Sequence, residues 1–188
     1  GNQLTLRGNI DLVEGRYSQN FDLAGLLFTP KRTSEAAEPF WQGIPLLETM
    51  RLALRAQSRG TLFVKNNIAD LPLTANLDVS GTLSEPRLDG TILLEEGGRI
   101  SPPGFRYSFD TEQGQVRFEA EKKIPDETPT IDLSASTVYT DNYEQQHTLV
   151  MKLTGTALSP RLDLWSLDGW NSNQVLQILL IVLSSVPY

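Results

Sequence analysis

Apolar and polar residues alternate along most of this chain, the period of a β-strand with one buried face. Met50, Leu52, Leu54 and Ala56 alternate with Arg51, Ala53 and Arg55, and the pattern resumes past Gly60 at Leu62 and Val64. Leu73, Ala75, Leu77 and Val79 then face away from Thr74, Asn76, Asp78 and Ser80. Further runs are Phe105, Tyr107, Phe109; Val116, Phe118; Ile131, Leu133, Ala135; and Leu149, Met151, Leu153. The pattern predicts an all-β, mainly antiparallel sheet with one apolar face. A helix over residues 44–57 competes, because Leu46, Leu47, Met50 and Leu54 are good helix formers. The even alternation from Met50 onward decides for a strand, preceded by a short turn.

Turn chemistry supports the same reading. Gly81-Thr82-Leu83-Ser84-Glu85-Pro86-Arg87-Leu88-Asp89 returns as Gly155-Thr156-Ala157-Leu158-Ser159-Pro160-Arg161-Leu162-Asp163. Each copy follows an alternating run, so each reads as strand, punctuated turn, strand: glycine permits the turn and proline lacks a ladder donor. A shorter element, glycine followed by apolar residues at +2 and +4, occurs at Gly8, Gly60, Gly90 and Gly114. Two segments break the pattern. Residues 29–43 have no period and are expected to form a mobile loop. Residues 173–185 form an apolar run after Asn171-Ser172-Asn173, a helix-capping cluster, and predict a short C-terminal helix. At about a dozen residues the run is shorter than the ~20 that a membrane-crossing helix needs.

A sheet with one apolar face must bury it against something. About ten strands spaced ~4.8 Å apart extend roughly 45–50 Å, more than one short helix can cover. The sheet is therefore expected to curl over on itself, either as a closed core or as an open trough. The candidate lining is Leu52, Leu54, Leu62, Val64, Leu73, Leu77, Val79, Phe105, Tyr107, Phe109, Val116, Phe118, Leu133, Leu149, Met151 and Leu153. In a closed core these are packing residues; in an open trough they form a surface suited to acyl chains.

Charge and chemistry narrow the function. A net charge of -7 over 188 residues leaves no basic stripe for a phosphate backbone, so nucleic acid is excluded as a partner. The absence of cysteine removes disulfides, thiolate catalysis and most structural zinc sites. The single histidine, His147, has no local catalytic partner and reads as a strand-edge surface residue. Glu95-Glu96, Asp110/Glu112 and Glu119/Glu121 sit at alternating or turn positions where outward charges belong. No metal, cofactor or catalytic residue is expected. The chain opens without a secretory signal, so it reads either as cytosolic or as cut from the inside of a larger protein; its end just after an apolar run also reads as an excerpt, one β-sheet domain over residues 1–188.

The order of its motifs resembles the C-terminal conserved domain of TamB-type proteins of the translocation and assembly module. The resemblance rests on Gly8-Asn9-Ile10-Asp11-Leu12 with Glu14-Gly15-Arg16-Tyr17, on Leu77 to Glu96, on Gly114-Gln115-Val116-Arg117-Phe118, on Pro129-Thr130-Ile131-Asp132-Leu133, and on Leu153 to Leu180. Here Leu164-Trp165-Ser166-Leu167-Asp168-Gly169-Trp170 departs from the family's serine-containing turn by carrying two tryptophans. The resemblance implies an elongated, curved sheet folded into a taco-like trough with an apolar concave face, related to bridge-like lipid transfer proteins. It further implies a periplasmic segment of a protein anchored in the inner membrane elsewhere. Its expected role is to shield phospholipid acyl chains between the two membranes and to support outer-membrane protein assembly. The implied partners are phospholipid acyl chains and an outer-membrane barrel of the TamA or BamA type. A rival role is that of a chaperone-like module holding unfolded outer-membrane proteins by β-augmentation. No catalytic residues come with the family.

Overall fold

The computed structural model describes residues 4–18, 43–120, 129–156 and 158–180. Among them the alternating runs become one eleven-stranded sheet. Its strands are β1 (Thr5–Leu12), β2 (Arg16–Tyr17), β3 (Arg51–Ser58), β4 (Leu62–Lys65), β5 (Ala69–Gly81), β6 (Pro86–Leu94), β7 (Arg99–Ile100), β8 (Phe109–Phe118), β9 (Thr130–Thr140), β10 (Gln146–Thr156) and β11 (Ser159–Ser166). Two helices accompany it, α1 (Pro45–Glu48) and α2 (Ser172–Leu179). The loop expected over 29–43 lies outside the described residues except for Gly43, a turn residue with φ 81°. Of the helix expected over 173–185, α2 forms the first part, and residues 181–185 lie outside the described chain.

The competition between helix and strand over residues 44–57 resolves by position. Pro45 opens a single helical turn, where its missing N–H costs nothing, and the Glu48 carboxylate accepts from the Gly43 N–H at 2.8 Å. From Arg51 the alternation takes over as β3.

The spatial order is β1-β3-β5-β6-β8-β9-β10-β11, with β2, β4 and β7 as short strands beside this path. Every pairing is antiparallel except β1 with β3 and β2 with β4. Parallel neighbours cannot be joined by a tight turn, and β1 and β3 are accordingly well separated in sequence, Leu12 ending one and Arg51 starting the other.

The nine-residue repeat is one hairpin built twice. Gly81 pairs with Pro86 between β5 and β6, and Gly155 pairs with Pro160 between β10 and β11. In each copy the threonine hydroxyl accepts from the backbone three residues on: Thr82 Oγ1 from the Glu85 N–H at 3.1 Å, and Thr156 Oγ1 from the Ser159 N–H at 3.2 Å. Both glycines adopt positive φ, 85° and 98°. A Cβ on Gly155 would stand 2.7 Å from the Ser159 carbonyl oxygen, so no other residue fits without strain.

Phe105 and Tyr107 do not extend β8, although they continue its alternation. Pro102 and Pro103 cannot donate to a ladder, so residues 101–108 form a loop, and Phe105 makes only an isolated bridge with Leu180. A β-bulge interrupts β8 against β9: Thr111 pairs with Ala135 and Gln113 with Ser134, leaving Glu112 as the extra residue.

Candidate functional site: a continuous apolar face sealed at one end

Residues paired across neighbouring strands share a face of the sheet, so the register shows which side chains line up. One row runs Leu62, Leu73, Leu94, Gly114, Leu133, Leu153, Leu162 across seven strands. Beside it run Ala75, Ile92, Val116, Ile131 and then Ala56, Leu77, Gly90, Phe118. Leu54, Val79 and Leu88 form a further row, and Leu6 pairs with Leu52 at the β1 margin. On the other flank Thr111, Ala135, Met151 and Leu164 align. The bulge at Glu112 shifts the alternation from odd to even positions within β8. It thereby keeps Phe109 on the same face as Val116 and Phe118.

All fourteen strand residues of the expected lining therefore occupy one face, with Phe105 and Tyr107 joining from the loop. Their surroundings differ. Phe109, Leu149 and Met151 are buried in a dry block with Ala135 and Leu164, closed from above by Val175 and Leu179 of α2. Phe105 and Tyr107 pack against the rim of that block. Leu52 and Leu133 are buried within the sheet. The other nine, Leu54, Leu62, Val64, Leu73, Leu77, Val79, Val116, Phe118 and Leu153, are only half-buried. Leu88, Ile92, Leu94 and Ile131 belong to the same rows and were absent from the expected lining. The alternation of Leu88, Gly90, Ile92 and Leu94 is the signal that marks the first three.

The helix that seals one end is made by its sequence. Asn171 accepts from the Gln174 N–H at 3.1 Å while the Gln174 side chain accepts from the Asn171 N–H at 3.0 Å, a reciprocal cap that starts α2. Val175 and Leu179, four residues apart, then point together into the block. The far end is tied by the Arg106 N–H, which donates to the Leu179 carbonyl at 2.7 Å.

His147 corrects the surface assignment made from the sequence, because it is only 9% exposed. Its Nδ1 lies 3.0 Å from Asp168 Oδ2 and its Nε2 3.3 Å from Asp141 Oδ2. The ring sits on Trp170, with centroids 4.2 Å apart. Burial opposes the charged imidazole, but the hydrogen bonds and charges of Asp141 and Asp168 outweigh it and raise its pKa above the ordinary 6.5. The Asp141 carboxyl is held below its ordinary 3.8, chiefly by the Gln145 backbone N–H and also by His147.

The opposite face is polar and ion-paired. Arg55 meets Asp78 at 3.1 Å, Lys65 meets Asp70 at 2.8 Å, and Arg99 meets Asp110 at 3.2 Å across neighbouring strands. Two residues of the acidic clusters have hydroxyl partners: Glu112 accepts from the Ser136 hydroxyl at 2.6 Å and Glu95 from the Thr61 hydroxyl at 3.2 Å. Among the described residues no group of three His, Asp or Glu side chains could hold a metal ion. Among them, too, no helix is long and apolar enough to cross a membrane.

A search of curated proteins gives no match. A family model does match, that of the TamB C-terminal domain, over residues 1–184. Because that match covers essentially the whole chain, this protein belongs to the TamB C-terminal domain family, and so to the translocation and assembly module of the cell envelope.

Proposed function

We propose that the half-buried part of the apolar face is a shielding surface for phospholipid acyl chains moving between the inner and outer membranes. The carrying observation is the unbroken register of apolar rows across the sheet, half-exposed beyond α2 and backed by an ion-paired polar face. In this reading the sheet curls along its length into a trough in the periplasm, and an outer-membrane barrel of the TamA or BamA type receives what it delivers. The chemistry is passive. Each CH₂ removed from water is worth about 0.8 kcal/mol, so a sixteen-carbon chain represents on the order of 10 kcal/mol. A shielded path removes that barrier without any catalytic group.

Photocrosslinkers placed in cells at Leu77, Val116 and Leu153 test this reading. Lipid adducts at these positions, with few at Leu149 inside the sealed block, are the expected result. An absence of lipid at all three, together with phospholipid-free protein in native mass spectrometry, would overturn it.

A second reading, strand capture by β-augmentation, is favoured by the edge of β1. Leu4 and Leu12 carbonyls accept from Arg51 and Arg59 at 2.9 and 3.0 Å, so even-numbered β1 residues face β3. The backbone groups of Thr5, Arg7, Asn9 and Asp11 then face outward, and no described strand pairs there. Polypeptide adducts at Arg7 and Asn9 in place of lipid on the face would favour this reading.

A further inference from the structure

His147 stands where three separately folded pieces meet. It is the second residue of β10, opposite Tyr139 of β9. The turn after β9 brings Asp141, whose Oδ1 is fixed by the N–H groups of Tyr143 at 2.8 Å and Gln145 at 2.9 Å. The turn after β11 brings Asp168, whose Oδ2 also accepts from the Ser166 hydroxyl at 3.1 Å. The segment entering α2 brings Trp170 onto the imidazole face, and Tyr139 completes the cluster, its ring centroid 6.1 Å from that of His147 and 6.3 Å from that of Trp170. Trp170 also accepts, through its carbonyl, from the Ser166 N–H at 3.3 Å, and the next residue is the Asn171 cap. The contacts of His147 thus join the Ser172 hydroxyl, which donates to the Leu164 carbonyl at 2.6 Å, in holding the start of α2.

The two ring nitrogens make this arrangement depend on a proton. An imidazolium donates from both nitrogens, one to each carboxylate. A neutral imidazole donates from one and turns a lone pair on the other toward a carboxylate oxygen, an arrangement that repels. Among the described residues no neighbouring cation compensates: α2 carries no charged residue, and Tyr139, Asp141, Asp168 and Trp170 are the groups that face the ring.

We infer that His147 is a proton-operated clasp that, when protonated, holds Trp170 and the start of α2 against the sealed block, and on losing the proton lets that end lift from Leu149, Met151 and Phe109. The opposite end of α2, tied to Arg106 and Phe105, serves as the hinge. The clasp regulates the apolar face assigned above to lipid, and it rests on that reading only for what enters once the block opens.

The sign follows from linkage. A group whose pKa is higher in the folded protein contributes stability that is fully present below its unfolded value, about 6.5, and is lost as pH rises through the folded value. Holding α2 closed is therefore easier at pH 5.5 than at pH 8.

The whole 188-residue chain, without any guest, suffices for the test. NMR titration of the single histidine gives the folded midpoint, and native-state hydrogen exchange, corrected for the intrinsic exchange rate at each pH, gives the opening equilibrium of the Val175 and Leu179 amides. The expected result is that the protection of α2 falls about tenfold for each unit by which the folded midpoint exceeds the unfolded one, while α2 opens more readily than β6 at every pH. In His147→Gln the protection of α2 should be low and independent of pH. Should that variant fail to fold, Asp168→Asn should lower the histidine midpoint and shift the exchange profile with it. A protection of α2 that stays flat through the histidine midpoint, α2 amides that exchange only together with β6, or an unchanged profile in either variant overturns the clasp. Because no lipid is present, that failure is distinct from a failure to find lipid adducts on the open rows.

Discussion

Side chains of one type do different work on the two parts of this apolar face. Leu149 is wholly buried beneath α2, whereas Leu77 is half-exposed in an open row. Leu149→Ala should cost about 2–5 kcal/mol because it leaves a cavity, and Leu77→Ala about 1 kcal/mol because its site already opens to water. Urea denaturation of the two variants checks the difference, and equal costs would contradict the division of the face. Acid acts at another residue. The Asp141 pKa is lowered in the folded protein, so its contribution is present above the ordinary 3.8 and is lost as pH falls through the folded value. Stability measured by urea should therefore decline on the acid side, and Asp141→Asn should remove part of that decline. The leucines were legible in the sequence because alternation announces them. His147 was not, since its partners Asp141, Asp168 and Trp170 are unremarkable in sequence and meet it only after a hairpin and a turn have closed.

At the scale of elements, the bulge in β8 holds the two parts of the face together. Phe109 and Thr111 occupy odd positions, Gly114, Val116 and Phe118 even ones, and Glu112 is the residue that reconciles them. Deleting Glu112 should close a regular ladder and keep Phe109, Val116 and Phe118 on one face, whereas inserting one residue between Gln115 and Val116 should turn Val116 and Phe118 to the polar side and abolish cooperative unfolding. Glu112→Ala, which keeps the count and removes only the exposed hydrogen bond from Ser136, should cost about 1 kcal/mol. Thermal melts followed by circular dichroism separate the two outcomes. The change of parity was visible in the runs ending at Phe109 and beginning at Val116, but its cause was not: a bulge is defined against β9, about twenty residues downstream. The doubled hairpin was readable in full, because its glycine, threonine and proline act within nine residues. The loop at residues 101–108 shows the opposite case, in which two prolines override an alternation that continues straight through them.

For the whole molecule, the alternation foretold a sheet with one oily side. It did not foretell the two parallel pairings, which join segments far apart in the sequence. Those pairings leave β1 as a margin of eight residues whose odd-numbered backbone groups point outward. Asn9→Pro removes an outward N–H and should be tolerated far better than Ile10→Pro, which removes an N–H that faces β3. Comparing the denaturation midpoints of the two variants checks the orientation, and the first also removes a donor from any strand added there. The opposite margin is different in kind. Along β11 the even-numbered residues face outward, since the Leu167 N–H turns inward to Thr148 at 3.0 Å. Pro160 has no N–H to offer, Ser172 donates to the Leu164 carbonyl at 2.6 Å, and the Ser166 N–H is taken by Trp170. Among the described residues only Leu162 keeps both of its outward groups available, too short a stretch to recruit a neighbour. A slab with one live margin and one blunted margin has a direction: further ribbons can be laid on at β1, while β11 brings any such row to a halt.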